Sequence, residues 1–280
     1  HTVTITANVT CTELSNAGTG TYVLNNGVTL TANVTAKSTT NPSFVVTFAS
    51  ATPSSATING NITGGASSTS VAVRNNSSGT LTINGNATGG STTNCVAIQN
   101  ASTGILVFNG NATGGSNATA SGIENSSTGT VTVTNGTISG GSLGYGIWNF
   151  SIGTCTVTGT CTASGAAGIQ NNSTGAVTIT GTLTPTATVH ALQCANTTGA
   201  NITLSGSLIY ASNGFAPTNC LKFLMNPTPT MAKVRFAKNG STTFSEFFTA
   251  DNSLGQAAIT DVRFGTVYAS GALTGVAYIP

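Results

Sequence analysis

The sequence predicts an all-β fold, a parallel β-solenoid of roughly nine or ten coils followed by a small β region. Three observations lead to this prediction. One short segment recurs along the chain, and short runs alternate apolar residues with threonine, as half-buried strands do. Helix signals are nearly absent, because glycine and β-branched residues dominate the sequence.

The recurring segment is clearest in three copies that lie 25 residues apart. They read INGNITGG from Ile58, INGNATGG from Ile83 and FNGNATGG from Phe108. One coil of this length cannot bury its apolar face alone, whereas coils stacked about 4.8 Å apart can. The repeat therefore predicts strands that stack like residues on like residues. Weaker copies begin at Val133, Val157, Ile179 and Leu204.

A second column of the repeat places an asparagine two residues after an apolar position. We predict that these asparagines form a ladder at a corner, in which each side-chain amide bonds to the next coil or to a turn backbone. Each turn then ends in glycine, the residue that tolerates positive φ at corners. The ladder residues are Asn75, Asn100, Asn125, Asn149 and Asn171.

Charge is scarce and excludes two classes of partner. The chain has 7 Lys+Arg and 5 Asp+Glu, or 4% charged residues, where about a quarter is usual. A scattered net charge of +2 does not make a nucleic-acid surface, and no apolar run reaches the roughly 20 residues of a membrane helix. We therefore expect neither nucleic-acid binding nor membrane insertion.

The N-terminus and the surface composition indicate export. The chain begins at His1, which is typical of a processed N-terminus from which a signal peptide has been removed. An uncharged Thr/Asn/Ser surface suits a protein outside the cell. We expect an extracellular location, at a cell surface or on a virion.

The stretch 168–181, GIQNNSTGAVTITG, resembles the repeats of right-handed parallel β-helix proteins from bacterial surfaces and phage appendages. The resemblance covers about residues 56 to 210 and implies a right-handed solenoid. It implies no catalytic residue, because the repeat is a packing device.

The composition changes from about Lys222 onward. This last fifth of the chain holds 8 of the 12 charges and 8 of the 17 aromatic residues. We assign residues 1–221 to the solenoid and residues 222–280 to a C-terminal β region that acts as a cap or assembly module. The segment Asp261 to Tyr268 resembles a short module near the ends of bacterial surface and phage proteins.

No catalytic site, metal site or cofactor site is expected. Sugar hydrolysis usually needs two carboxylates, and in the repeats Glu124 stands alone. His190 and Cys194 lack a third orienting group and favour a structural histidine. One outward column is interpreted as a solvated stripe; it contains Arg74, Gln99, Glu124, Trp148, Gln170, Gln193 and Lys222.

The six cysteines are expected mostly as buried thiols that act as small apolar residues. Cys155 and Cys161 are placed six residues apart along one strand, about 20 Å, which is beyond bridging distance. A bridge between Cys194 and Cys220 in neighbouring coils remains open.

Trp148 is a candidate for binding. With Tyr145 and Phe150 it forms an aromatic cluster on the predicted solenoid. An outward aromatic ring on an uncharged face can stack on a sugar or pack against a partner, and the alternative is a Trp covered by a loop.

Three functions remain open. The first is a non-enzymatic structural subunit of an extracellular filament, sheath or appendage, whose copies join end to end through the solenoid ends. The second is a phage fibre, tailspike or bacterial adhesin that binds surface glycans on a lateral face. The third is a divergent polysaccharide-degrading enzyme.

Overall fold

A computed structural model describes the chain nearly continuously from its N-terminal end to residue 185 and, beyond that, in separate strands. The described residues are 2–16, 20–36, 44–50, 54–65, 70–91, 94–115, 120–141, 143–172, 174–185, 190–194, 201–204, 207–208, 221–223, 233–237, 244–248, 267–268 and 273–274. All regular elements among them are β-strands.

The first sheet contains ten strands that follow one another along the rod. Each strand pairs in parallel with the strand of the next coil. The strands are β1 (Thr2–Ile5), β3 (Thr21–Leu24), β5 (Phe44–Phe48), β8 (Val71–Asn75), β11 (Val96–Asn100), β14 (Ile123–Asn125), β16 (Tyr145–Asn149), β19 (Ala167–Asn171), β22 (His190–Cys194) and β25 (Leu221–Phe223).

The second sheet contains 17 strands, because most coils contribute two strands separated by a corner. These strands are β2 (Val9–Asn16), β4 (Thr29–Ala36), β6 (Ser55–Asn59), β7 (Ile62–Thr63), β9 (Thr80–Asn84), β10 (Ala87–Thr88), β12 (Ile105–Asn109), β13 (Ala112–Thr113), β15 (Thr130–Ser139), β17 (Thr154–Val157), β18 (Thr160–Ser164), β20 (Val177–Ile179), β21 (Thr182–Pro185), β23 (Asn201–Leu204), β24 (Ser207–Leu208), β26 (Lys233–Ala237) and β27 (Phe244–Phe248).

The chain is therefore a parallel β-solenoid, which confirms the predicted all-β fold class. It shows about six turns, fewer than the predicted nine or ten coils, although ten strands pair in series in the first sheet. The 25-residue repeat sets the register: Ile58 pairs with Ile83, and Ile83 pairs with Phe108. No helix in the described part of the chain has the length and apolarity to cross a membrane.

The core consists of columns of like side chains stacked from coil to coil. Ile58, Ile83 and Phe108 are fully buried, and Val133 and Val157 continue their column with 0% exposure. Burying each such side chain contributes about 1.5–3 kcal/mol relative to leaving it exposed. Because each coil supplies half of its neighbour's contacts, the core forms only when coils stack.

Two kinds of corner need glycine for different reasons. Gly85 has a φ of 147°, and a Cβ there would collide with the carbonyl oxygen of Gly60 in the adjoining coil. Gly153 and Gly175, at the turn after the asparagine column, are not among the positive-φ glycines. There a Cβ would collide with the carbonyl oxygen of the turn glycine one coil earlier. These turn glycines are thus required by close backbone approach, not by backbone dihedral.

The pairing changes direction near the C-terminal end. β25 pairs in parallel with β22, and β26 pairs in parallel with β23, so parallel pairing extends past residue 221. β27 then pairs antiparallel with β26. A separate antiparallel pair joins β28 (Val267–Tyr268) to β29 (Leu273–Thr274). The change from parallel to antiparallel pairing lies between β26 and β27.

Candidate functional site

One column of outward side chains on the first sheet, here called the lateral stripe, combines polar, charged and aromatic groups. In β8 the neighbours of Arg74, Val73 and Asn75, have 0% exposure, so Arg74 points away from the core. The same register continues through every coil of this region. The lateral stripe consists of Thr47, Arg74, Gln99, Glu124, Trp148 and Gln170. Gln193 and Lys222 continue the register in the backbone, and their side chains lie outside the described residues.

The lateral stripe is only partly exposed to solvent, and the expectation of a solvated stripe is wrong at Gln170. Gln170 is only 2% exposed and Thr47 is 9% exposed, while the other four side chains are half-buried. Alternation along a strand tells which side a residue faces, but it does not tell what else packs over that side.

Burial perturbs the two charged groups of the stripe in opposite senses. It raises the pKa of Glu124, although a hydrogen bond from Gln99 and the positive charge of Arg74 act against the rise. Gln99 Nε2 donates to Glu124 Oε1 at 3.1 Å. Burial also lowers the pKa of Arg74, and the charge of Glu124 acts against that change. In both groups burial disfavours the charged form, and the attraction between the two opposite charges partly offsets it.

Unpaired polar atoms concentrate in the lateral stripe. Six buried side-chain nitrogen or oxygen atoms lack a hydrogen-bond partner among the described residues, and four of them belong to the stripe. Leaving a buried polar group unpaired costs about 1–3 kcal/mol, so four in one column are a departure from ordinary packing. The four atoms are Thr47 Oγ1, Arg74 Nε, Trp148 Nε1 and Gln170 Oε1.

An aromatic cluster adjoins the stripe at Trp148. The structure brings together the three residues singled out in the sequence: the ring centroids of Tyr145 and Trp148 are 5.5 Å apart, and those of Trp148 and Phe150 are 5.1 Å apart. Phe150 is 54% exposed. Its ring therefore extends the cluster into solvent.

Two further exposed apolar residues lie close to this cluster in the sequence, and sequence reasoning missed both. Leu143 is 64% exposed and Ile152 is 60% exposed. The repeat contained the signal for Ile152, because the residue before the turn glycine in the other coils is polar. Those equivalents are Ser78, Thr103, Thr128 and Thr174.

The position of Phe150 shows the same contrast between coils. The backbone N–H of Phe150 donates to the backbone carbonyl oxygen of Asn125. In the other coils, the residue at this position donates to the carbonyl oxygen of the ladder asparagine one coil earlier, or to that of Phe48 where the ladder begins. Those corresponding residues are small or polar, namely Asn76, Ala101, Ser126 and Asn172. The aromatic cluster is therefore a local feature of one coil and not a property of the repeat.

The asparagine column forms a continuous buried ladder. Asn75 Nδ2 donates to Asn100 Oδ1 at 2.9 Å, and the same bond links each later pair at 2.8–3.1 Å. The amides of Asn125 and Asn149 also donate to the turn carbonyl oxygens of Gly129 and Gly153. All five ladder residues are fully buried, so they hold the coils together and do not face a ligand.

A second asparagine ladder, at the exposed corner of the INGN segment, was not predicted. Asn61 Oδ1 accepts a hydrogen bond from the backbone N–H of Asn86 at 2.9 Å, and Asn86 Oδ1 accepts one from Asn111 at 3.0 Å. The signal was the second asparagine of INGN, which recurs at the same interval.

Cys155 and Cys161 lie on different strands, β17 and β18, so their predicted placement on one extended strand is wrong. The chain turns at Thr158 and Gly159, between the two strands. Both thiols are buried and free. Burial raises the pKa of Cys155 to about 12, with a contribution from Cys161, and raises that of Cys161 to about 12.

Other predicted site residues have no described side chains. The side chains of His190 and Cys194 and the whole of Cys220 lie outside the described residues. Within the described part, no three His, Cys, Asp or Glu side chains group as metal ligands. No family model matches the chain, and no curated protein or solved structure matches it either.

Proposed function

We propose that this protein is a non-enzymatic, extracellular β-solenoid rod, of the phage-fibre or adhesin kind, that binds a surface glycan on its lateral stripe. The observation that carries the proposal is the concentration of unpaired buried polar atoms beside an aromatic cluster. Sugar hydroxyls both donate and accept hydrogen bonds, so they can pair with a donor such as Trp148 Nε1, whose half-buried side chain needs only a rotation to expose it. The apolar face of a sugar ring packs on an aromatic ring.

The test is a glycan array probed with the whole chain. Trp148→Ala and Phe150→Ala should each weaken binding. The loss for Trp148→Ala should exceed about tenfold, as is usual for a buried aromatic anchor, and the loss for the more exposed Phe150 should be smaller. Thr82→Ala, on the outward face of the second sheet, is the matched control and should bind normally. Binding that is unchanged in both aromatic variants would contradict the proposal. Release of reducing ends from a polysaccharide, abolished by Glu124→Gln, would favour an enzyme instead.

A second proposal is a structural one, in which copies of the chain join end to end. β1 and β2 form the first coil described, and within the described part each pairs with a strand on one side only. The other edge of each strand has no ladder partner among the described residues, and edges of this kind accept further strands. Val3 on β1 is 52% exposed. Contacts of this kind between unlike ends build filaments.

Electron microscopy and sedimentation velocity distinguish this proposal from the first. Val3→Lys should shorten or abolish fibres, because charge at a strand edge opposes pairing. Ile105→Lys changes another exposed apolar residue, 43% exposed in the middle of the second sheet, and should leave assembly intact. Monomers at high protein concentration would contradict end-to-end assembly.

A further inference from the structure

Arg74 stands near one end of the lateral stripe as a half-buried cation held in a fixed position. Its guanidinium lies over the ring of Phe44, 4.3 Å from the centroid, and its Nε has no hydrogen-bond partner among the described residues. Glu124 is two strands away, about 10 Å, with Gln99 between them. A planar guanidinium whose Nε has no partner is suited to a carboxylate, which it binds through two parallel hydrogen bonds once a side-chain rotation exposes the Nε.

Trp148 stands three strands from Arg74 in the same column, about 14 Å away. Trp148 and Phe150 provide an apolar wall, and Trp148 Nε1 provides an unpaired donor. Gln170, one strand further, is 2% exposed and lies behind this wall, and its Oε1 has no partner among the described residues. Because Arg74 and Trp148 are partly exposed, small side-chain rotations would present their unpaired atoms to a ligand.

The two sites are joined by polar groups that suit hydroxyls. Gln99 and Glu124 lie between Arg74 and Trp148 and already bond to each other at 3.1 Å, so each retains only part of its hydrogen-bonding capacity. The chemistry along the stripe is thus carboxylate recognition, then hydroxyl recognition, then ring packing. A ligand that uses all three must lie along the rod axis.

An oligosaccharide fits this arrangement better than an extended peptide. Peptides usually bind to sheets by adding a strand at an edge, and the stripe lies on the face of strands that are paired on both sides. A peptide on that face would leave its backbone N–H groups without ladder partners. A sugar chain has no such requirement, because its hydroxyls pair with side chains.

We infer that the lateral stripe binds an acidic oligosaccharide lengthwise, with a carboxylate at Arg74 and a sugar ring against Trp148. This inference rests on the proposed glycan binding and adds the class of glycan and its direction on the rod. The recognised chemistry is a carboxylate-bearing sugar, either a uronic acid or a sialic acid.

The experiment compares acidic oligosaccharides with their carboxyl-reduced counterparts. Oligogalacturonates, oligoalginates and sialylated glycans are immobilised beside the reduced form of each and probed with the whole chain. The wild type should bind at least one acidic probe. It should bind the carboxyl-reduced form of that probe at least about tenfold more weakly, because a hydrogen bond to a charged group is lost. Arg74→Gln should remove this preference and retain binding to the reduced form, while Arg74→Lys should keep part of it. Thr82→Ala should behave as wild type.

The outcomes separate this inference from the proposed function. Equal binding of acidic and reduced probes, lost in Trp148→Ala, would overturn the acidic class and leave glycan binding in place. An acidic preference that persists in Arg74→Gln would overturn the assignment of Arg74. Failure to bind any glycan, or preferential capture of acidic peptides, would overturn both. Circular dichroism of each variant shows whether the solenoid is folded.

Discussion

At the scale of single residues, the buried asparagine ladder is the clearest case of a side chain that replaces a missing backbone partner. Asn125 Nδ2 donates to Asn149 Oδ1 and Gly129 O, both at 2.9 Å, and its Oδ1 accepts from Asn100 at 3.1 Å. These bonds are fully buried, so none of them can be exchanged for water when one partner is removed.

Asn125→Ala should therefore lower the free energy of unfolding by about 3 kcal/mol, since it leaves buried groups unpaired in two neighbouring coils. Urea denaturation followed by circular dichroism measures the change. Asn109→Ala is the matched control, because Asn109 is exposed and its loss should change stability by less than about 0.5 kcal/mol. Equal effects of the two variants would show that the ladder adds no stability.

The raised pKa of Glu124 predicts how the free energy of unfolding depends on pH. Its pKa in the folded state is raised, chiefly by burial, so the folded protein holds this proton more tightly than the unfolded chain does. Stability is then greatest below the unfolded pKa of about 4.3 and falls as pH rises through the higher folded pKa. Glu124→Gln should remove this fall and melt at a higher temperature than wild type at pH 7, with the difference smaller at pH 4. Thermal melts at both pH values test this, and a wild type that is the more stable protein at pH 7 would contradict it.

At the scale of elements, strands and corners follow different rules. The strands of the second sheet, such as β9 and β12, follow the alternation of buried and outward residues, whereas β8 and β11 in the first sheet each begin with three consecutive buried residues. The corners depend on where two backbones come within contact distance. Gly85 and Gly153 look alike in the sequence, yet only Gly85 has positive φ.

Three glycine-to-alanine variants separate dihedral strain from backbone collision. Gly27 has a φ of 72°, and a methyl group added there would meet no other part of the chain within 4 Å, so Gly27→Ala should cost only about 1 kcal/mol. Gly85→Ala combines strain with collision and should cost at least about 2 kcal/mol more. Gly153→Ala has collision alone and should fall between them. Chemical denaturation measures all three, and equal losses would mean that close coil packing does not restrict these corners.

The sequence predicted the strands better than the corners, because the corners depend on where two backbones come into contact. The strand register follows from the repeat, so the inward column that contains Ile83 and the outward column that contains Glu124 could be predicted from the sequence. The corner between Cys155 and Cys161 has only a Thr-Gly pair as its signal and was missed. Half-burial of the lateral stripe was missed as well, because Phe44 packs on Arg74, and Tyr145 and Phe150 pack on Trp148, and these aromatic rings do not recur in the other coils.

At the scale of the whole molecule, the solenoid is a stack in which each coil contacts its two neighbours. Its stability is then approximately a sum of coil terms and nearest-neighbour interfaces. The inward columns stay in register from β4 to β20 although the coil length varies, from 28 residues between the paired Leu30 and Ile58 to 22 residues between Val157 and Ile179.

Removal of one whole coil should therefore be tolerated. Deleting residues 84–108 joins Ile83 to Asn109 and preserves the INGN pattern, so the shortened chain should keep its β-sheet circular dichroism and melt cooperatively. Deleting residues 84–95 removes about half a coil, breaks the register and should abolish cooperative melting. Loss of folding in both proteins would contradict the nearest-neighbour description.

The hydrogen bonds of the buried asparagine ladder all run in one direction, from each amide to the next coil toward the C-terminal end. Aligned amides polarise one another, so the interior of the rod behaves like a row of dipoles placed head to tail. The row is closed at both ends by backbone groups, because Asn75 Oδ1 accepts from the backbone N–H of Ser77 and Asn171 Nδ2 donates to the carbonyl oxygen of Gly175. The column continues with Phe48 before Asn75 and with Cys194 after Asn171, so this row of dipoles lies wholly within the rod, and turning over any inner ladder amide would set like groups against each other in both neighbouring coils.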